Sequence, residues 1–317
     1  MSAAPPATGE VGVVVTSHDQ GGLVAEAVAS ARAQDHPGVQ VLVVDDGSTD
    51  PASLAVLDAL VADGVPVLRQ ANAGVSAARN AGARALGTEL VVLLDGDDRL
   101  APRFVAAARE RLGRPGVVAV SSWLRLVGVA SGVVRPPGGA LRDFLARNAA
   151  PATVLLRRGD LERAGGYDET LREGFEDWDL YLRLLAHGGR VEVVPEPLVD
   201  YRTAPASSNV RSMERRLELY GALVDRHPEA FAAHLRHVLL EQEATSTRRL
   251  LRWEAVVRDG PGADDGEITF GDGGMAAAVR LAAARAAGTP GAAPAAPPTA
   301  PPTAPPTAPP DAGPVPA

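Results

Sequence analysis

The chain has 317 residues, 46% of them hydrophobic and 22% charged, with a formal net charge of -8 and no cysteine. That length and hydrophobic share support a substantial core in one large domain or two modest ones. The acidic balance argues against a nucleic-acid backbone as partner, and the absence of cysteine excludes disulfides, thiolate catalysis and zinc–thiolate sites.

Residues 1–9 are rich in Ala and Pro, without a basic start or an apolar run, so a flexible N-terminus and no signal peptide are expected. The apolar runs Val11–Val15 and Leu90–Leu94 are far shorter than the ~20 residues of a spanning helix. The expected location is the cytoplasm, with peripheral membrane contact left open.

From residue 11 strand and helix patterns alternate. Val11–Thr16 is a β-branched run, and Leu23–Gln34 follows with Leu23, Ala27, Val28 and Ala31 on one helical face. Val39–Val44 predicts a second strand, closed by Asp45-Asp46-Gly47-Ser48, and Leu54, Leu57, Leu60 and Val61 then take helical spacing. Val65–Arg69, Ser76–Leu86 and Glu89–Leu94 continue as strand, helix and strand. Strands apolar on both faces and alternating with helices predict an α/β fold, a mostly parallel central sheet with helices on both faces. Ligands of such sheets bind beyond the carboxyl ends of the strands, where Thr16–Asp19, Asp45–Asp50 and Asp95–Asp98 fall.

Beyond Arg99 the pattern is mixed. Pro102–Leu112 predicts a helix, Val117–Leu126 a strand, and Pro136–Gly139 a loop. Val154–Arg157 predicts a strand, Arg158–Ala164 a short helix, Asp177–His187 a longer helix and Val191–Val194 a strand. Asn209–Glu254 is helical with a break near His227-Pro228, giving a C-terminal extension over 209–285 after a main domain over 10–208. From residue 286 the composition collapses to Ala, Pro, Thr and Gly, as expected of a disordered tail.

Two acidic strand ends carry the chemistry. Asp95-Gly96-Asp97-Asp98 follows the buried run Val91–Leu94, and carboxylate oxygens there suit a hard cation that shares its shell with phosphate oxygens. A tight turn is the alternative, since Asp and Gly form turns. An EF-hand does not fit, because the sixth and twelfth positions from Asp95 are Leu100 and Ala106. At the second cluster Asp50 before Pro51 looks like a helix cap, which leaves Asp45 and Asp46 to meet a ligand.

These segments occur in a recognisable order. Val13–Asp19, Asp45–Asp50, Asn72–Gly82 and Asp95–Asp98, then Gly165–Glu169, Glu176–Asp179 and Tyr201-Arg202, resemble glycosyltransferase family 2 over roughly residues 10–205. Thr16-Ser17-His18-Asp19 departs from the Pro-x-Tyr-Asn usual there. The resemblance implies a GT-A fold and a metal-dependent, inverting, hexosyltransferase-like enzyme. It would move a sugar from a nucleotide sugar, by default a UDP-sugar, to an unidentified acceptor hydroxyl in polysaccharide, glycolipid or glycoconjugate biosynthesis. It implies Thr16, His18 and Asp46 at the base, Arg79 near the base or diphosphate, and Asp95 on the ribose side. Asp97 and Asp98 would hold Mn²⁺ or Mg²⁺, and Asp177 would be the catalytic base with Glu176 beside it. Asp46, Asp97 and Asp177 should therefore surround one cavity.

Taken singly, Glu176-Asp177 could only cap a helix, Arg79 could be a solvated helix charge, and Trp178 could be packing. A nucleotidyltransferase would need a Gly-rich phosphate loop, for which Gly21-Gly22 is a poor candidate. A non-catalytic nucleotide-sugar-binding protein on the same scaffold is the other alternative. His227, His234 and His237 are expected to be surface histidines. Gly271-Asp272-Gly273-Gly274-Met275-Ala276 matches a dinucleotide-type string, but only Ile268–Phe270 could precede it as a strand, so no such site is expected.

Overall fold

The structure is a computed structural model, and residues 10–260 and 267–287 are described. The expected flexible N-terminus over 1–9 and the tail beyond Ala287 lie outside them. The first half runs β1 (Val11–Ser17), α1 (Leu23–Arg32), β2 (Val39–Asp46), α2 (Pro51–Ala62), β3 (Val67–Gln70), α3 (Val75–Leu86) and β4 (Leu90–Asp95). The second runs β5 (Arg99–Leu100), α4 (Phe104–Leu112), β6 (Val117–Gly128), β7 (Gly132–Val134), β8 (Val154–Arg157), α5 (Arg158–Arg163), α6 (Glu176–Leu185) and β9 (Arg190–Thr203). Helices α7 (Ser208–Glu214), α8 (Arg216–Arg226), α9 (Pro228–Ala233), α10 (Leu235–Asp259) and α11 (Gly274–Ala286) follow.

All nine described strands join one sheet in the order β3-β2-β1-β4-β8-β6-β9-β5, with β7 beside β6. The segment β3-β2-β1-β4 is parallel throughout. Antiparallel β8 then joins β4 to β6, and β6 pairs parallel with β9. Parallelism is thus complete in the half that carries the first acidic clusters and mixed beyond it.

Alternation of side chains explains the two-sided core. Val11, Val13 and Val15 of β1 pack with Val24 and Val28 of α1 and Phe104 and Val105 of α4. Val14 points the other way, among Ala78 of α3 and Trp178, Tyr181 and Leu182 of α6. Leu219, Leu223, Phe231 and Val238 of the C-terminal helices join that second side, while Met275, Ala276 and Val279 of α11 join the first. From Gly274 the glycine-rich string therefore continues into a packed helix that reaches Ala286, where composition alone suggests the start of the tail. The three residues Ile268–Phe270 form no strand. No helix among the described residues is long and apolar enough to cross a membrane.

Candidate active site

Register brings the polar strand ends level. Thr16 of β1 lies opposite both Val44 of β2 and Asp95 of β4, and its hydroxyl is 3.4 Å from Asp95 Oδ1. Beyond it, His18 Nδ1 is 3.0 Å from the Asp46 carbonyl oxygen. The buried Asp46 carboxylate is already engaged. Its Oδ1 accepts from Gln70 Nε2 at 2.8 Å and the Ala73 amide at 2.9 Å, and its Oδ2 accepts from the Gly74 amide at 2.8 Å. Asp46 thereby shapes the loop leading into α3. Gly47 makes the turn possible, since at φ +73° a Cβ there would lie 2.6 Å from the Asn72 amide nitrogen. Asp19 accepts from the Thr49 and Asp50 amides at 2.7 and 2.8 Å, which hold its carboxyl below the ordinary range. Its charge ties the loop after β1 to the loop after β2.

Arg79 links the two halves of the site. This side chain is only 2% exposed, so the solvated-helix alternative does not hold. Its guanidinium donates to Asp95 Oδ1 at 2.7 Å and to Glu176 Oε1 at 2.9 Å, and it lies 5.1 Å over the Tyr167 ring. Burial opposes its charge, but Asp95, Tyr167 and Glu176 outweigh burial and hold it protonated.

The Asp95–Asp98 turn concentrates negative charge. Burial first, then the Asp95 charge, pushes Asp97 up to about 6, and Arg202 offsets only part of that. Asp98 is raised well above its ordinary value by burial and by Asp97, and its Oδ1 accepts from the Arg202 amide at 2.8 Å. Gly96 has no room for a side chain, because a Cβ would lie 2.5 Å from the Thr16 carbonyl oxygen and closer still to Gln20 Oε1. Together Thr16, His18, Asp46, Arg79, Asp95, Asp97, Asp98 and Glu176 line one open cleft of about 400 Å³. Ser17 and Gln20 also border it, with Ser17 Oγ and Gln20 Oε1 buried and without hydrogen-bond partners.

Asp177 lines an adjoining cavity of about 170 Å³ instead, so Asp46, Asp97 and Asp177 do not surround a single chamber. Arg79, Asp95, Glu176 and Tyr201 border both spaces. Left-handed backbone at Gly174 (φ +119°) and Phe175 (φ +65°) turns the chain so that Glu176 and Asp177 open α6. Asp177 Oδ1 accepts from the Trp178 amide at 2.7 Å and its Oδ2 from Asn148 Nδ2 at 2.9 Å. Burial, then the Glu176 charge, pushes its pKa up to about 7, against the opposing pull of Arg79, the Trp178 amide and Asn148. Acidic residues suit a helix N-terminus, and Glu176, Asp177 and Asp179 all fall in the first turn of α6, which has no side-chain cap. Trp178 is core packing, donating through Nε1 to the Phe144 carbonyl oxygen at 2.5 Å.

The chain matches the family described as Glycosyl transferase family 2 over residues 12–157, and Glycosyltransferase like family 2 over residues 125–238. The chain belongs to glycosyltransferase family 2. Its relatives include the succinoglycan biosynthesis protein ExoU of Rhizobium meliloti, 30% identical over 61% of this chain and 61% of that protein. The pre-mycofactocin glycosyltransferase of Mycobacterium tuberculosis is 29% identical over 72% of this chain. The chain spans 61% and 50% of the length of these two relatives. Among solved structures, a mannosyltransferase from Pyrobaculum calidifontis in complex with GDP-Man and Mn²⁺ has a TM-score of 0.55 at 24% identity, covering 89% of this chain and 76% of its own. S. aureus TarS in complex with UDP-GlcNAc has a TM-score of 0.57 at 17% identity, covering 72% of each chain. The fold is GT-A.

In this family 2 chain the sequence motifs locate the carboxylates but miss their supports. Asn148, Gln70 and the backbone amide of Arg202 sit in loops or strands without local signals, and contact their partners only through the tertiary fold. The Gly271–Ala276 string has a place too. Gly271, Gly273, Met275 and Ala276 close the Asp177 cavity, and a Cβ on Gly271 would overlap the Asn148 carbonyl oxygen. His227 departs from the surface expectation, because its Nε2 is 2.8 Å from Asp179 Oδ1 and both side chains are largely buried. Among the described residues no group of three or more His, Asp or Glu side chains is arranged to hold a metal ion by itself.

Proposed function

We propose that this family 2 protein transfers a sugar from a nucleoside diphosphate to an acceptor hydroxyl with inversion, in the assembly of a polysaccharide or glycolipid. The observation that carries this reading is the Arg79 bridge, which sets Asp95 and Asp97 on one side and Glu176 and Asp177 on the other. Donor and acceptor can then meet across one guanidinium.

On the donor side Thr16 and His18 flank the base end, and Asp46 supports that wall through the loop before α3. Asp95 faces the ribose. A divalent cation, Mn²⁺ or Mg²⁺, fits the turn, because Asp97 has its charge poorly compensated and oxygen donors suit hard ions that complete their shell with phosphate oxygens and water. When bound, it would offset the charge of the diphosphate leaving group. Asp97 is the principal ligand of this reading. Asp98, with one oxygen engaged by Arg202, contributes its remaining oxygen or holds the turn.

On the acceptor side Asp177 takes the hydroxyl proton as the acceptor oxygen bonds to the anomeric carbon and the bond to the diphosphate breaks. A pKa of about 7 suits a base that works near neutrality. Attack from the face opposite the leaving group inverts the centre and needs no protein nucleophile. Glu176 keeps Arg79 in place rather than accepting the proton, since its Oε1 is held at 2.9 Å. Support for a nucleotide-sugar donor comes from the two fold neighbours holding GDP-Man with Mn²⁺ and UDP-GlcNAc.

The test is a panel of UDP-, GDP- and dTDP-sugars with Mn²⁺ or Mg²⁺, monitored for released nucleoside diphosphate. The expected result is metal-dependent release with one donor class. Pyrophosphate release from a nucleoside triphosphate would indicate a nucleotidyltransferase instead.

A further inference from the structure

The cavity beside Asp177 shares Met213, Arg216 and Gly273 with the wall of a larger groove of about 910 Å³ between α10 and α11. Its wall contrasts with the chain as a whole, whose net charge is -8. Among the described residues seven arginines line it, against Glu267 and Asp272. The pattern is built into the helices. Thr245, Arg248, Arg249 and Arg252 recur on α10 at the spacing of one helical face, and Ala277, Ala278, Leu281 and Arg285 do so on α11. Arg249 pairs with Asp272, and Arg252 with Glu267. Arg147, Arg248, Arg280 and Arg285 form no ion pair among the described residues.

Like charges gathered along a concave surface repel one another, and a bound polyanion relieves that repulsion. The neighbouring cavity is lined by Asp95, Glu176 and Asp177, carboxylates that repel an anion, so an anionic group would be held at the groove while a neutral hydroxyl lies beside Asp177. We propose that this groove binds a phosphate or diphosphate group carried by the sugar acceptor. The inference rests on the transferase reading above and adds the chemical class of its acceptor. Guanidinium forks match phosphate oxygens in pairs, and several of them suit a group of high charge density better than a lone carboxylate. On the same helix α10, Leu250, Trp253 and Val257 are 53%, 62% and 65% exposed. This apolar strip beside the groove favours a lipid-linked source of the phosphate.

Calorimetric titration of the full chain with inorganic pyrophosphate in EDTA tests the site directly, because without a cation the acidic cleft repels that probe. The expected result is binding that weakens about ten-fold or more in Arg248→Glu and Arg280→Glu, the change expected when one charge-assisted contact is lost. Arg236→Glu, on exposed surface outside the groove, makes the same change in net charge and should bind as the parent protein does. Equal unfolding midpoints of the variants exclude misfolding. Tighter binding of farnesyl diphosphate than of pyrophosphate assigns the phosphate to a lipid-linked acceptor, and equal binding of the two with competition by glucose 1-phosphate assigns it to a soluble one. No binding, equal weakening by Arg236→Glu, or equal binding of glucuronate overturns the proposal. Nucleoside diphosphate binding with Mn²⁺ is measured in parallel. Its absence alongside intact pyrophosphate binding would overturn the transferase reading while leaving an anion site.

Discussion

Asp177 joins three properties in one side chain: burial, a like-charged neighbour and two hydrogen-bond donors. As the proposed base it must be ionised, so the transfer rate should rise with pH through about 7 in a pH–rate profile. Removing the Asn148 amide removes a donor that favours the ionised form, so Asn148→Ala should move that rise to higher pH. Asp177→Asn should lower the rate by about 10²–10⁴-fold while nucleotide binding persists. Stability carries the same signature. Asp177 and Asp97 titrate at about 7 and about 6 in the folded chain, above the ordinary 3.8. The folded state therefore holds more protons than the unfolded state between those limits. Ionising the pair is a destabilising contribution, fully present above about pH 8 and relieved as pH falls through 7 and 6. Thermal unfolding in EDTA should show a higher midpoint at pH 6 than at pH 8. Asp97→Asn should raise the midpoint at pH 8, and added Mn²⁺ should raise it for the parent protein alone.

At the scale of elements, Arg79 joins α3, β4 and α6, and it is the least legible of these residues locally. A helix sequence Ser76–Leu86 rich in Ala says nothing about which side an arginine faces, and only the order of motifs points to a site. The clustering at β1, β2 and β4 is legible because parallel strands place their carboxyl ends on one edge, and apolar runs mark where each strand ends. Asn148 and Gly271 are not legible, since each acts through a contact distant in sequence. Arg79→Met would leave the Asp95 and Glu176 carboxylates without their buried partner, and denaturant unfolding should show a loss of about 3–5 kcal/mol. Gly271→Ala must push the loop before α11 off Asn148, at φ +74° as well as in van der Waals terms. A loss of about 1–3 kcal/mol is expected, with acceptor KM raised and nucleotide binding retained.

Across the whole molecule, the parallel half of the sheet carries the cleft of the proposed donor side, and the C-terminal helices line the cavity of the proposed acceptor side. Composition marks where the chain becomes low in complexity, but not that α11 packs Met275, Ala276 and Val279 into the core before it does. Ala-rich sequence is ambiguous in this way, because small apolar residues bury well against a close neighbour and also populate tails. The two cavities meeting at Arg79 are the consequence of that arrangement, and the proposed function requires that they divide donor from acceptor. Calorimetric titration of GDP and UDP with and without Mn²⁺ separates the two roles, using the parent chain, Asp97→Asn and Asp177→Asn. Mn²⁺-dependent binding of one nucleotide is expected, lost in Asp97→Asn and kept in Asp177→Asn. Undiminished Mn²⁺-dependent binding in Asp97→Asn would rule out that division between donor and acceptor.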